Sequence, residues 1–280
     1  MMKLNEIMVS GRAAVITGGA NGIGLASAKA FAKAGMNVCI ADNDEAQLKI
    51  AASEMANFDT QVIFVQTDVA DFDSVMALRE KVQANFDDVA IVMNNAGIGA
   101  GGGAMTNLSG WQKVMSVNLF GIVHGVQAFS PMLIEQGRPA VIINTGSKQG
   151  LTNPPGNAAY NASKAGVRFL TESLAHELRN TQGCEVSAHL LVPGFTYTGL
   201  ISKRVPEKPD AAWSPAQVVE FMLEALAAGD FYIICPDNDV TVALDRRRIE
   251  WNTRDVVENR PALSRWHPDY AEEFADFVQS

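Results

Sequence analysis

The stretch TGGANGIG, residues 17–24, decides how the rest of the chain is read. It follows the apolar run AAVIT (13–17) and leads straight into IGLASAKAFAKAG (23–35), whose apolar positions recur at helical spacing. Gly18, Gly22 and Gly24 stand between strand and helix in the pattern G-x-x-x-G-x-G, with Asn21 and Ile23 interleaved. Glycines there let the backbone approach a ligand closely, and the helix start behind them offers free N–H groups and partial positive charge. In an open α/β sheet such a turn lies at the carboxyl edge, where ligands bind. A glycine cluster alone fits any tight turn; its placement between a strand and a helix is what points to a dinucleotide pyrophosphate.

The same alternation continues outward. NVCIA (37–41), QVIFVQ (61–66), VAIVM (89–93), AVIIN (140–144) and EVSAHLLV (185–192) read as strands, and FYIIC (231–235) as a seventh. Most are apolar on both faces, as in a parallel sheet covered by helices on each side. Helices are expected over 44–56, 74–86, 110–136, 157–179, 215–228 and 240–251. Strand–helix alternation implies right-handed crossovers and a doubly wound, mostly parallel, three-layer α/β sheet of Rossmann type. No repeat or linker divides the chain, so 1–280 is read as one domain. Prolines 206, 209 and 215 mark 195–215 as a substrate loop or lid, and 238–280 is a C-terminal helical tail.

Composition narrows the function. A net charge of −9 argues against a nucleic-acid surface, and the lone basic cluster, Arg246 to Arg248, sits among acids as a solvated helix face. Cys39, Cys184 and Cys235 lack metal or redox spacing, and the four histidines lack ligand spacing, so no metal is expected. No apolar run of membrane-spanning length and no export signal is visible, which places the chain in the cytoplasm, away from membranes.

Asp42 ends the second strand, eighteen residues after Gly24. A carboxylate there can accept hydrogen bonds from an adenosine ribose and would repel a 2′-phosphate. With Asn21 inside the turn and Asn43 after the acid, no cation offsets it, so NAD is expected over NADP. Helix capping is a second role open to the same residue. Further on, NAAYNASK (157–164) places Tyr160 and Lys164 four apart on one helix face. A phenol titrates near ~10, and a neighbouring ammonium favours its phenolate, so the pair can act as a general acid/base. YxxxK is also common on exposed helices. Ser147 changes the balance: thirteen residues earlier, in NTGSKQG (144–150), its hydroxyl can bond the substrate oxygen that Tyr160 protonates. Lys148 beside it either reaches an anionic substrate group or, pointing the other way, joins a salt bridge.

These motifs, with NNAG (94–97), Asn118 in VNLFG and PGFTYT (193–198), resemble those of the short-chain dehydrogenase/reductase family, in order and spacing, across residues 12–200. The resemblance implies that Tyr160 is the acid/base, Ser147 positions the substrate oxygen, and Lys164 holds the nicotinamide ribose and lowers the tyrosine pKa. It implies that Asn118 holds a water relaying protons to Lys164. Asp68 and Val69 would contact adenine, Asn95, Ala96 and Gly97 would line the cofactor cleft, and Pro193 and Gly194 would pass the nicotinamide. Thr196 and Thr198 would contact its amide or the phosphates. Gly146 replaces a common serine, and the last strand lacks its usual glycine ending, which leaves a homo-oligomer as dimer or tetramer. The expected function is an NAD-dependent oxidoreductase on a small-molecule alcohol or carbonyl. The small-residue stretch 97–105 is expected to be flexible at the pocket mouth, and Phe195, Tyr197, Leu200 and Ile201 suggest an apolar secondary alcohol or ketone. Trp213, Trp266 and Tyr270 would close over it or pack a subunit interface. Alternatives are a non-catalytic NAD sensor or scaffold on the same fold, or an NAD-using epimerase or dehydratase.

Overall fold

In the computed structural model, which describes residues 4–99, 101–202 and 205–279, the alternation becomes one seven-stranded sheet. The first half runs α1 (Leu4–Ile7), β1 (Ala13–Thr17), α2 (Gly22–Lys33), β2 (Asn37–Asp42), α3 (Glu45–Met55), β3 (Val62–Gln66), α4 (Phe72–Asn85) and β4 (Val89–Asn94). Next come α5 (Leu108–Met115), a π turn (Ser116–Phe120), α6 (Gly121–Gln136), β5 (Ala140–Thr145), α7 (Gln149–Thr152), α8 (Ala158–Asn180) and β6 (Val186–Val192). The chain finishes with α9 (Gly199–Ser202), α10 (Pro215–Ala228), β7 (Tyr232–Ile234), α11 (Val242–Val257), two 3-10 turns and α12 (Ala271–Gln279). Lys203 and Arg204 in the expected lid, Ala100 in the glycine stretch, and the chain ends at 1–3 and 280 lie outside the described residues.

The strand order is β3-β2-β1-β4-β5-β6-β7, and every pairing is parallel. The order reverses between β1 and β4, which opens a crevice at their carboxyl ends. Alternating side chains pack against a core on each face, which explains why β1, β4 and β5 are buried throughout and apolar up to their carboxyl ends. Ala14 and Ile16 face one core with Phe31 and Met222; Ala13 and Val15 face the other with Leu78, Phe129 and Val167. Both faces are covered, giving three layers.

Several boundaries differ from the sequence expectation for local reasons. The Asp71 side chain accepts from the Asp73 N–H and starts α4 two residues early. Asn107, at φ 61°, accepts from Gly110 and starts the next helix at Leu108. The single helix expected over 110–136 is interrupted by the π turn, which widens the backbone at Asn118. That run, 108–136, is also long and apolar enough by composition to cross a membrane, contrary to the sequence reading. Its apolarity has a nearer cause: Val114, Ile122, Phe129 and Leu133 are buried in the core.

The tail from 238 builds a buried aromatic cluster of its own around Trp251. Trp251 is fully buried and donates from Nε1 to Ser264 Oγ at 2.8 Å. The Arg260 guanidinium lies 4.1 Å from its ring, and Phe274 and Phe277 pack at 5.3 and 5.2 Å. Trp213 meets Phe221 edge-on at 6.0 Å, the Arg265 guanidinium lies over the Trp266 ring, and Tyr270 meets His267 edge-on. The Arg246–Arg248 cluster is solvated only in part: Arg247 lies over Phe277 at 5.0 Å, and Arg248 sits in the field of Asp245.

Candidate active site

Register aligns the polar ends of the central strands. Thr17 pairs with Asn94, and Asn94 with Asn144, so residues that interrupt three apolar strands form one row at the carboxyl edge. Asn94 donates to Asn144 Oδ1 at 2.9 Å, and Asn144 donates to the Thr171 hydroxyl at 3.1 Å. This buried chain ties the sheet to α8, whose first turns carry Tyr160 and Lys164. Sequence reasoning did not assign Asn94, Asn144, Thr145 or Thr171 a role. The signal available was amides and hydroxyls closing otherwise apolar strands.

One step along, Asn95 donates to the carbonyls of Thr17 and Gly18 at 3.2 and 3.1 Å, clamping the glycine turn against β4. Gly18 has φ 60°, and a Cβ there would lie 2.7 Å from Ala96 Cα, so both conformation and space demand glycine. Gly22, Ile23 and Gly24 form the first turn of α2. Its N-cap residue, Asn21, makes no side-chain cap and donates to Gln47 instead. The first-turn N–H groups are thus left free of a side-chain acceptor. Asp42 accepts from the Ala20 N–H at 3.2 Å, joining the end of β2 to the turn. The cap of α3 is Asp44, which accepts from Gln47, so the capping alternative for Asp42 is corrected.

After β3, exposed Asp68 accepts from the Ala70 N–H, whereas Val69 is buried against Gly121 and its carbonyl meets His124 Nδ1 at 2.8 Å. Gly97 lies between Asn118 and Lys164: a Cβ on it would be 3.5 Å from Asn118 Oδ1 and 3.7 Å from Lys164 Nζ. Asn118 is fully buried. Its amide is used by the Ile98 main chain, accepting at 2.8 Å and donating at 3.0 Å, and by Ser163. These bonds engage both the oxygen and the nitrogen of its side-chain amide. Three glycine carbonyls near the mouth are held as well: Asn157 donates to Gly99 O, Asn107 to Gly101 O and Trp111 to Gly103 O.

Three reacting candidates converge between β5 and α8. Ser147 hydrogen-bonds the Tyr160 phenol. Lys164 is buried, donates to Thr145 O at 2.7 Å, and places Nζ 5.9 Å from the Tyr160 ring centroid. Burial raises the Tyr160 pKa, and the Ser147 hydrogen bond opposes that rise. Burial also pushes Lys164 down to about 8. The sequence reading had the ammonium lowering the phenol; in the structure desolvation of both groups dominates. At pH 7 the phenol is held protonated and the ammonium is retained.

Pro193 and Gly194 follow β6. Thr196 is buried, with its hydroxyl donating to Gly194 O, and Thr198 lies against Gly22, 3.1 Å from where a Cβ would sit. Strand-like bonds from Tyr197 N to Trp213 O and from Trp213 N to Phe195 O fold the 195–213 segment back on itself. A cavity of about 500 Å³ opens between this segment and α2, touching Asn21, Gly22 and Thr198 but not Tyr160. Lys148 points away from the phenol: Nζ is 2.6 Å from Asp245 and 3.2 Å from Asp237, so the salt-bridge alternative holds.

The family model described as short chain dehydrogenase matches residues 12–209. This chain is a short-chain dehydrogenase/reductase. Among curated relatives of this dehydrogenase is a 1-deoxy-11-beta-hydroxypentalenate dehydrogenase from Streptomyces exfoliatus, 36% identical over 79% of this chain and 82% of that protein. A 3beta-hydroxysteroid dehydrogenase 2 from Eggerthella lenta is 32% identical over 72% and 77%. A crystal structure of a short-chain dehydrogenase/reductase from Burkholderia phymatum in complex with NAD superposes with a TM-score of 0.81. That protein is 33% identical, over 91% of this chain and 97% of its own.

For this short-chain dehydrogenase we expect Ser147→Ala to leave dinucleotide affinity within about twofold while turnover falls roughly 10²-fold. Equilibrium binding and steady-state rates on the same preparation check it, and an intact kcat would remove Ser147 from the reacting group.

Proposed function

We propose that the enzyme uses NAD and interconverts an apolar, bulky secondary alcohol and its ketone. The observation that carries this reading is the convergence of Ser147, Tyr160 and Lys164 beside the crevice that the glycine turn and Asn95 open. The residues present fit the dinucleotide. First-turn amides of α2 lack a side-chain acceptor and suit a pyrophosphate. Asp42 ends β2 with a half-buried carboxylate, suited to ribose hydroxyls and opposed to a 2′-phosphate. The NAD complex of the Burkholderia phymatum protein supports the same choice. Bound there, NAD would accept or donate the hydride.

The chain's own groups would do the rest. Tyr160, protonated at neutral pH, gives its phenolic proton to the carbonyl oxygen in reduction and takes it back in oxidation. Ser147 holds that oxygen, and Lys164 places a positive charge behind the phenol that favours its anionic form when the proton leaves. Apolar side chains support the substrate class: Phe195 and Leu200 are exposed, and Leu200 lies 3.8 Å from where a Gly99 Cβ would sit, joining the two segments at the mouth. Two relatives carry a hydroxypentalenate and a hydroxysteroid in their names, which agrees with a bulky substrate.

The test is a panel of secondary alcohols and ketones, graded in size, with NAD or its reduced form, following absorbance of the reduced nicotinamide. Turnover should rise with apolar bulk. Tight NAD binding with no turnover on any member would replace the enzyme reading with a cofactor sensor. Preference for small hydroxy acids would overturn the substrate class. Asp42→Ala is expected to weaken NAD at least about tenfold and to narrow the preference over NADP, measured by titration with both cofactors. An unchanged ratio would remove Asp42 from ribose recognition.

A further inference from the structure

The reading of the active site leaves Lys148 without a part in the chemistry, yet it follows Ser147 directly. Its Nζ lies between two carboxylates whose side chains are 6% exposed: Asp245 on α11 at 2.6 Å and Asp237 after β7 at 3.2 Å. Asp237 has a second task, because its Oδ2 also accepts from the Phe195 N–H at 3.1 Å. Gly194 is packed beneath the pair. A Cβ on it would lie 2.8 Å from Asp237 Oδ2, 2.9 Å from Lys148 Nζ and 2.9 Å from Pro236 O. Lower down, Asn252 on α11 donates to Leu151 O at 3.3 Å, so the same helix is pinned to α7 at a second point.

The cluster carries one cation against two anions. Arg248, three residues after Asp245 and so on the same helix face, adds a compensating field. Arg265 lies in the electrostatic field of Arg248 and Asp245. Cys235 is buried beside them, and burial holds its thiol up at about 12, so it stays neutral. The geometry therefore links two pieces of the site that come from different strands. Ser147, at the end of β5, is joined through Lys148 and Asp237 to the Pro193–Phe195 turn at the end of β6. The linking carboxylates come from residues beyond the 12–209 family match.

We propose that Lys148, Asp237 and Asp245 are positioning residues for the reaction: they fix the Pro193–Phe195 turn relative to Ser147 and so set where substrate and nicotinamide meet. The inference rests on the proposed function. None of the three touches the reacting atoms, so their effect is on alignment, where a displacement near 1 Å can cost about 10²-fold in rate.

The experiment compares the full-length wild type with Lys148→Met and with Lys148→Met/Asp245→Asn. Lys148→Met removes the one cation in contact with both buried carboxylates and lowers the melting temperature. The double variant restores the wild-type net charge of the cluster and recovers most of that loss. Turnover separates alignment from stability. Both variants are expected to lose at least about tenfold in kcat with KM within about threefold, because Lys148 is missing from each. Recovery of kcat along with melting temperature in the double variant would overturn the proposal in favour of charge balance alone. So would a kcat in Lys148→Met within twofold of wild type. A wild type inert on the whole alcohol panel would instead sink the proposed function itself, and this inference with it.

Discussion

Tyr160→Phe is expected to lower turnover by about 10³-fold, the middle of the range for a positioned acid/base, while NAD affinity stays within about threefold. The substitution removes one oxygen and its bond to Ser147 and leaves the ring in the same half-buried place. Structure should therefore survive, and the loss should fall on kcat. The pH dependence carries a sign. The phenol is raised by burial, so the folded enzyme holds it protonated at pH 7. Oxidation needs the proton gone, and with the phenol above its ordinary value near ~10 its rate should climb through roughly pH 7 to 9 and beyond, while carbonyl reduction, which uses the protonated form, stays nearly flat over the same span. Lys164, pushed down to about 8, begins to lose its ammonium inside that window and blunts the climb. A Tyr160→Phe enzyme with more than a tenth of wild-type turnover would show that another group handles the proton.

Trp251→Ala is the change expected to cost most in stability, about 3–5 kcal/mol, on the order of 10 °C in melting temperature. The side chain is 1% exposed, and its neighbours come from three later segments: Arg260, Ser264, and the α12 phenylalanines 274 and 277. Deleting it opens a cavity and leaves Ser264 Oγ, which also donates to Asp255, without its indole partner. Differential scanning calorimetry of wild type and variant gives the number. A shift below about 2 °C would mean that the tail folds independently of the sheet.

How much was legible before folding differs from place to place. The strands were, because full burial on both faces demands the unbroken apolar runs that AAVIT, VAIVM and AVIIN display. So were the glycine turn, Tyr160 and Lys164, where chemistry restricts residue type at a fixed local spacing. The missed features depend on distant partners. The Asn94–Asn144–Thr171 chain needs the inter-strand register, which no single strand encodes. The packing of Val69 against Gly121 joins residues 52 positions apart and has no local signal. Asn118 had its residue type in place, but the π turn that aims its amide at Ile98 has no local sequence signal. The desolvation that outweighs the ammonium's pull on Tyr160 is likewise a property of the assembled layers.

The ion cluster around Lys148 also has a consequence for synthesis. Its first counter-charge lies 89 residues downstream and the second later still. At roughly 5–20 residues per second, a ribosome takes on the order of 5–20 s to supply Asp237 after Lys148 has been made. During that interval the serine, the tyrosine and the glycine turn already exist on the nascent chain. The turn after β6 still lacks its anchor. Prematurely terminated products are thus expected to carry every signature motif of the family and no turnover.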